Sequence, residues 1–195
     1  MVPGKPKTVK IGKKTELTLK PGEINGHSVG LGMKVDWLGS KHKQGSPPQG
    51  GVQSELMKLL VTNPSKRSKD KYIRGHLLNE HLGGEGKADN MFPITGYANS
   101  QHLHSTESTV KKWIKEKPKL WVMYEVKVEG ISSQLKENYK SSNYVDSTFA
   151  CYGELKNAAG EVKDKFSTKI ESKFHNKQKA EILEQAEIRI KANKK

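Results

Sequence analysis

A single cysteine, Cys151, stands among 195 residues. That excludes an internal disulfide, and with it a disulfide-stapled secreted scaffold and a Cys-rich zinc finger. No apolar run approaches the roughly 18 residues a bilayer-spanning helix needs. None follows Met1-Val2-Pro3-Gly4-Lys5 either, so neither a transmembrane segment nor a signal peptide is expected. Hydrophobic residues are sparse at 33%, low for a globular chain, yet three Trp, six Tyr and four Phe argue against wholesale disorder. Carboxylates are scarce as well: 21 Asp+Glu face 35 Lys+Arg, a formal net charge of +14.

What is present is therefore a basic chain, with a pI near 9.7, long enough for one domain with a single core. Its natural partner is a polyanion: DNA, RNA or an anionic membrane surface, without insertion into the membrane. Composition alone does not separate a ribosomal protein from a nuclease or a basic toxin.

Residues 1–20 carry six Lys against one Glu and read, within a segment 1–30, as a basic arm or a short strand over Lys14–Leu19. Residues 31–195 read as the main domain, with its core at 72–117. Gly32–Leu38 reads as a strand. Gly45-Ser46-Pro47-Pro48-Gln49-Gly50-Gly51 is a loop, and Ser54–Val61 a short helix capped by Ser54. A longer helix is predicted from Asn99 to Lys117, stopped by Pro118, with Leu103, Thr106, Val110, Trp113 and Ile114 on its apolar face. Strands follow: Leu120–Val128, then Ser147–Leu155 and Lys165–Ser172 as a hairpin around Asn157–Gly160. An amphipathic helix over Lys177–Lys191 closes the chain. The mixture predicts an α+β fold.

Four of the seven histidines, His76, His81, His102 and His104, fall within residues 72–107. Cutting a phosphodiester calls for a general base that works near neutral pH, the property of an imidazole. It also calls for positive charge against the phosphate and the leaving oxygen. Arg74 and His76 flank one glycine, and in an extended segment residues two apart face the same side. Asn99 opens the long helix, and Glu107 lies eight residues on, rotated by about 80° on a regular helix. A hard cation such as Mg²⁺ accepts one Asn oxygen and keeps several waters.

The segment Arg74–Asn79 (Arg-Gly-His-Leu-Leu-Asn), followed by Leu-Gly-Gly-Glu-Gly at 82–86 and Asn-Met-Phe-Pro-Ile-Thr at 90–95, resembles the DNA/RNA non-specific endonucleases. These are a ββα-metal family, and the spelling is similar to the versions found as toxin domains of bacterial effectors. The resemblance implies a ββα-metal finger on a mixed, mainly antiparallel sheet with flanking helices. It makes His76 the general base, Arg74 the phosphate contact, Asn99 the metal ligand and Glu107 the residue that orients a water on that metal. It further implies Mg²⁺, with Mn²⁺ as a substitute, and cleavage of DNA and of RNA as a second substrate. An effector made in a bacterial cytoplasm and delivered into a target cell would meet a delivery machinery and an immunity protein. The family's acidic residue before the arginine is Ile73 here, which leaves the orientation of His76 without an assigned partner.

Plainer readings stand beside these. His76 alone would be a structural histidine and Arg74 a surface charge. Asn99 is equally an N-cap, and Glu107 equally an i,i+4 partner of Lys111. Asn90 and Thr95 are expected to fix the turn of the finger. Lys66, Arg67, Lys69 and Lys71, just ahead of the catalytic strand, form a candidate phosphate track or a solvated loop. The remaining histidines lack the Cys pair or second His of a structural zinc site. Two functional rivals remain: a non-catalytic nucleic-acid-binding domain, and a metal-independent ribonuclease that pairs His76 with a second histidine.

Overall fold

The computed structural model describes residues 1–60, 71–137 and 143–173. The expected helix over Lys177–Lys191 and the candidate track residues Lys66, Arg67 and Lys69 lie outside these residues.

Alternation builds the sheet. In β7 (Trp121–Gln134), Val122, Tyr124, Val126 and Val128 are all buried. β8 (Tyr144–Lys156) buries every second residue along its whole length. Period-2 burial of this kind makes a sheet with one face on the core and one toward solvent. β9 (Val162–Ser172) pairs antiparallel with β8 across the turn at 157–161, as the sequence predicted. On the other side β7 pairs with β4 (His27–Leu38), and β4 with β3 (Glu16–Ile24). The β3–β4 hairpin turns on Asn25-Gly26, whose φ angles of 50° and 78° are those of a tight two-residue turn. The N-terminal residues join the same sheet: β1 (Val2–Pro3) and β2 (Lys7–Lys10) both pair with β3. The result is a seven-stranded antiparallel sheet, and position 30 falls inside β4.

One face of this sheet carries a finger. β5 (Tyr72–His76) and β6 (Met91–Thr95) form a separate antiparallel pair, with His76 opposite Met91 and Tyr72 opposite Thr95. Helix α2 (Gly96–His102) follows directly, continues through a π-helical turn (Leu103–Glu107), and becomes α3 (Ser108–Glu116). The ββα unit seats on the sheet through an edge-to-face Phe92–Phe149 contact, ring centroids 5.8 Å apart, and through Trp113 on Phe166 at 5.5 Å. The fold is α+β.

Three local expectations change. The long helix begins at Gly96, because the Thr95 hydroxyl accepts the Ala98 N–H (3.3 Å) and caps it. Asn99 is therefore inside the helix and is not its cap. Leu103, expected on the apolar face, is 38% exposed because it sits in the π turn, where the 100° periodicity fails. Helix α1 (Ser54–Leu59) is entered from Gln53, at φ 54°, with no side-chain cap, so Ser54 is its first residue and not its cap.

The finger's connection is pinned from within. Asn90 is fully buried; its Oδ1 accepts the Leu78 N–H (3.0 Å), and its Nδ2 donates to the carbonyls of Leu78 and Glu85 (both 2.9 Å). Gly84 lies so close beneath that a Cβ there would stand 1.7 Å from the Leu78 oxygen. Asn90→Ala, which removes the partner of two buried backbone groups of Leu78 and of the part-buried Glu85 carbonyl, is expected to cost about 3 kcal/mol in urea unfolding. The exposed Lys165→Ala control should change stability by less than about 0.5 kcal/mol.

Candidate active site

Arg74, His76, Asn79, Asn99, Leu103 and Glu107 line one cleft of about 130 Å³. Three elements supply them: strand β5, the turn after it, and the helix that follows β6. Gly75 makes the approach possible. A Cβ there would lie 2.3 Å from Ile94 Cγ2 and 3.2 Å from Asn99 Oδ1, so only glycine lets the strand lie this close to the helix.

The loop 45–53 holds the strand's two functional side chains by its carbonyls. The Ser46 oxygen lies 3.1 Å from His76 Nε2. The Val52 and Gln49 oxygens accept from Arg74 Nη1 at 3.0 and 3.4 Å. The loop is itself tied to the segment after β5: Gly45 N donates to the Glu80 oxygen (2.8 Å), Ser46 N to Gly84 O (3.2 Å) and Gln49 N to Gly86 O (3.0 Å). Where residue 73 is isoleucine, the partner of His76 is thus a backbone carbonyl, that of Ser46. Because a carbonyl only accepts, a neutral His76 carries its proton on Nε2 and keeps the Nδ1 lone pair. Burial pushes the His76 pKa down, against a smaller opposing effect of the Ser46 contact, which favours that neutral form.

The π turn aligns the helix side chains. Each i→i+5 turn absorbs one extra residue, setting later positions back by about 100°. The 80° offset of Glu107 from Asn99 on a regular helix therefore shrinks to about 20°, and both point into the cleft. Glu107 is only 3% exposed. Asn79 Nδ2 donates to its Oε2 at 3.0 Å, Lys111 Nζ lies 4.0 Å from that oxygen, and His102 Nδ1 lies 3.7 Å from Oε1. The i,i+4 pairing with Lys111 thus coexists with a place in the cleft. Burial raises the Glu107 pKa to about 7, opposed by Lys111 and by the Asn79 hydrogen bond. His102 is pushed down to about 4 by burial, with Lys111 adding to the shift. Its Nε2 is 2.7 Å from the Tyr124 hydroxyl, itself 3.1 Å from Thr106 Oγ1, so this histidine belongs to a buried network under the cleft. His81 and His104 are exposed and do not line the cleft.

Asn79 was not singled out as a site residue in the sequence. Its place in Arg-Gly-His-Leu-Leu-Asn was the available signal; its Oδ1 also accepts the His81 N–H, which fixes the amide for Glu107. Thr95 caps α2, Asn90 ties the finger's turn, and neither lines the cleft. Lys71 precedes β5, and its carbonyl accepts the Gly96 N–H at 2.8 Å.

The donor set suits a hard, hydrated cation. Asn99 Oδ1 accepts no hydrogen bond within the described residues, and Glu107 offers a carboxylate on the same face. Among the described residues no three His, Cys, Asp or Glu side chains cluster as a metal cage. One oxygen ligand with a carboxylate beside it fits an ion that keeps most of its waters, as Mg²⁺ does.

The family model described as DNA/RNA non-specific endonuclease matches residues 54–146, which span α1, the finger, the helix, β7 and the first residues of β8. A solved structure named "extracellular endonuclease" is similar at 13% identity, over 87% of this chain and 84% of that one, with a TM-score of 0.49. No curated protein matches the chain. No helix of the described residues is long and apolar enough to cross a membrane.

The Glu107 carboxyl holds its proton more tightly in the folded chain (about 7) than at its ordinary value of 4.5. Between those pH values the native state binds more protons than the unfolded state, so this group makes stability fall as pH rises. Glu107→Gln is therefore expected to be the more stable protein in metal-free buffer at about pH 8, by on the order of 3 kcal/mol. In urea unfolding the difference should vanish below about pH 4.

Proposed function

We propose that this chain, which carries a DNA/RNA non-specific endonuclease domain over residues 54–146, is a metal-dependent hydrolase. It cuts DNA, and RNA as a second substrate, with little sequence preference. The observation that carries the reading is the convergence of His76, Arg74, Asn99 and Glu107 on one cleft from separate elements.

Arg74, held by two loop carbonyls, presents its remaining N–H groups to a non-bridging phosphate oxygen. His76, steadied through Nε2 by Ser46, takes the proton of the attacking water on Nδ1. Asn99 Oδ1 would hold a divalent cation; once bound, that ion supplies the positive charge that offsets charge building on the phosphate and the leaving 3′-oxygen. Glu107, oriented by Asn79, positions a water that returns a proton to the leaving oxygen. Mg²⁺ is the assigned ion and Mn²⁺ a substitute, on the hardness of the ligands. No step requires a 2′-hydroxyl, which is why DNA is a substrate.

The rival acid–base ribonuclease needs a second imidazole in the cleft. The nearest candidate, His102, is buried against Tyr124 and held neutral. The toxin-like spelling of residues 74–86 supports a role as a bacterial effector domain. In that role the chain is delivered into a target cell and restrained in its producer by an immunity protein.

Supercoiled plasmid incubated with the protein should be nicked and then degraded in Mg²⁺, and left intact in EDTA. His76→Ala should lower the rate by at least about 10²-fold while DNA binding persists. Plasmid that stays intact in Mg²⁺ and in Mn²⁺ contradicts the DNA-cleaving reading. Cleavage of RNA alone that survives EDTA would instead establish the ribonuclease rival.

A further inference from the structure

The lysines of this chain are unevenly neutralised. Over much of the described surface they lie near carboxylates: Lys34 with Asp36 (2.9 Å), Lys127 with Glu125 (3.2 Å), Lys156 with Glu154 (2.6 Å) and Lys163 with Glu161 (2.9 Å). Three segments are different. The segments 13–14, 41–43 and 111–119 carry nine lysines and a single carboxylate, Glu116. Among the described residues, only Lys111 of the nine is in an ion pair, with Glu107 of the cleft.

Contacts bring these segments together. Lys43 N donates to the Ile11 carbonyl at 2.6 Å. Lys14 Nζ stands 6.0 Å from the centre of the Trp121 ring. His42, which contacts the carbonyls of Gly39 (2.7 Å) and His81 (2.9 Å), joins the 39–43 loop to the turn after the catalytic strand. Between that loop and α3 runs a groove of about 220 Å³, with Leu82, Ile114 and Pro118 in its lining and Lys111 and Lys115 beside them. Lys111 lines this groove and its Nζ stands 4.0 Å from Glu107 Oε2 of the cleft, so the groove lies next to the cleft, one side chain away. An apolar lining with uncompensated ammonium groups suits a sugar–phosphate backbone: the sugars lie on the carbons and the phosphates meet the charges. From Glu107 to Lys115 is eight residues, about 12 Å along the helix. A duplex strand advances about 3.4 Å per phosphate.

We propose that these lysine-rich segments form a second nucleic-acid-binding surface, which grips the backbone of the substrate a few nucleotides from the phosphate that is cut. It rests on the nuclease reading for its occupant, and it lies in segments separate from the 66–71 cluster. Neutralising each phosphate releases counterions, so the surface sets how steeply binding falls with salt.

The test uses the full chain with His76→Ala, so that DNA is bound without being cut. Affinity for a fluorescein-labelled 25-base-pair duplex is followed by anisotropy across a salt series. Lys115→Gln/Lys119→Gln should weaken binding and flatten the slope of log K against log salt by about 0.9 per lysine, about 1.8 in all. Lys163→Gln/Lys169→Gln, on β9, should leave the slope at the parent value. Equal slopes for the two double variants overturn the proposal. These lysines are exposed, and an unaltered urea midpoint in both variants shows that charge, not folding, is being read. Binding and cutting separate the two claims. A flattened slope in a protein whose wild type never cuts DNA would sink the nuclease reading and keep the surface. Cutting with an unchanged slope would sink the surface alone.

Discussion

The site depends on how closely one strand approaches the helix that closes the finger. A Cβ at Gly75 would stand 2.3 Å from Ile94 Cγ2 and 3.2 Å from Asn99 Oδ1, so the glycine lets His76 on the strand and Asn99 on the helix share one cleft. Everything else in the cleft is arranged around it. The β5–β6 pair holds the strand, Phe92 and Trp113 seat the unit on the sheet, and Asn90 with Gly84 lets the connection return tightly enough for β6 to lead into α2.

Two kinds of support hold the side chains of the cleft. The outer support is backbone: three carbonyls of the 45–53 loop fix the tautomer of His76 and the direction of Arg74. The inner support is a buried polar network, Asn79 on one side of Glu107 and the His102–Tyr124–Thr106 group beneath. Burying a carboxylate this fully disfavours its charge, which is why its pKa rises. A cation beside Asn99 would oppose that shift and favour the Glu107 carboxylate.

Legibility in the sequence followed the kind of information each feature needs. The strands from Trp121 onward were readable because alternation is a period-2 signal, and the finger because residue types at fixed spacing carry the chemistry. The π turn was not: a one-residue insertion in a helix leaves no periodic mark, and a uniform 100° wheel misplaced both Leu103 and Glu107. The partner of His76 was invisible for another reason, since a backbone carbonyl has no residue identity to search for. The 45–51 segment was correctly a loop, but its function lies in its oxygens. The β3–β4 hairpin did carry a signal, Asn25-Gly26, whose preference for positive φ marks a two-residue turn. The start of the long helix was missed because Asn99 resembled a cap, whereas the hydroxyl of Thr95 performs that role.

In the proposed function, Asn99 would hold a hard divalent ion on the face that the π turn lets it share with Glu107. A crystal of the full chain soaked in Mn²⁺ and measured at the manganese edge tests this most directly. The account requires one strong anomalous peak within about 2.3 Å of Asn99 Oδ1, with Glu107 reaching the ion's waters. A peak bound elsewhere, with none at Asn99, would contradict it.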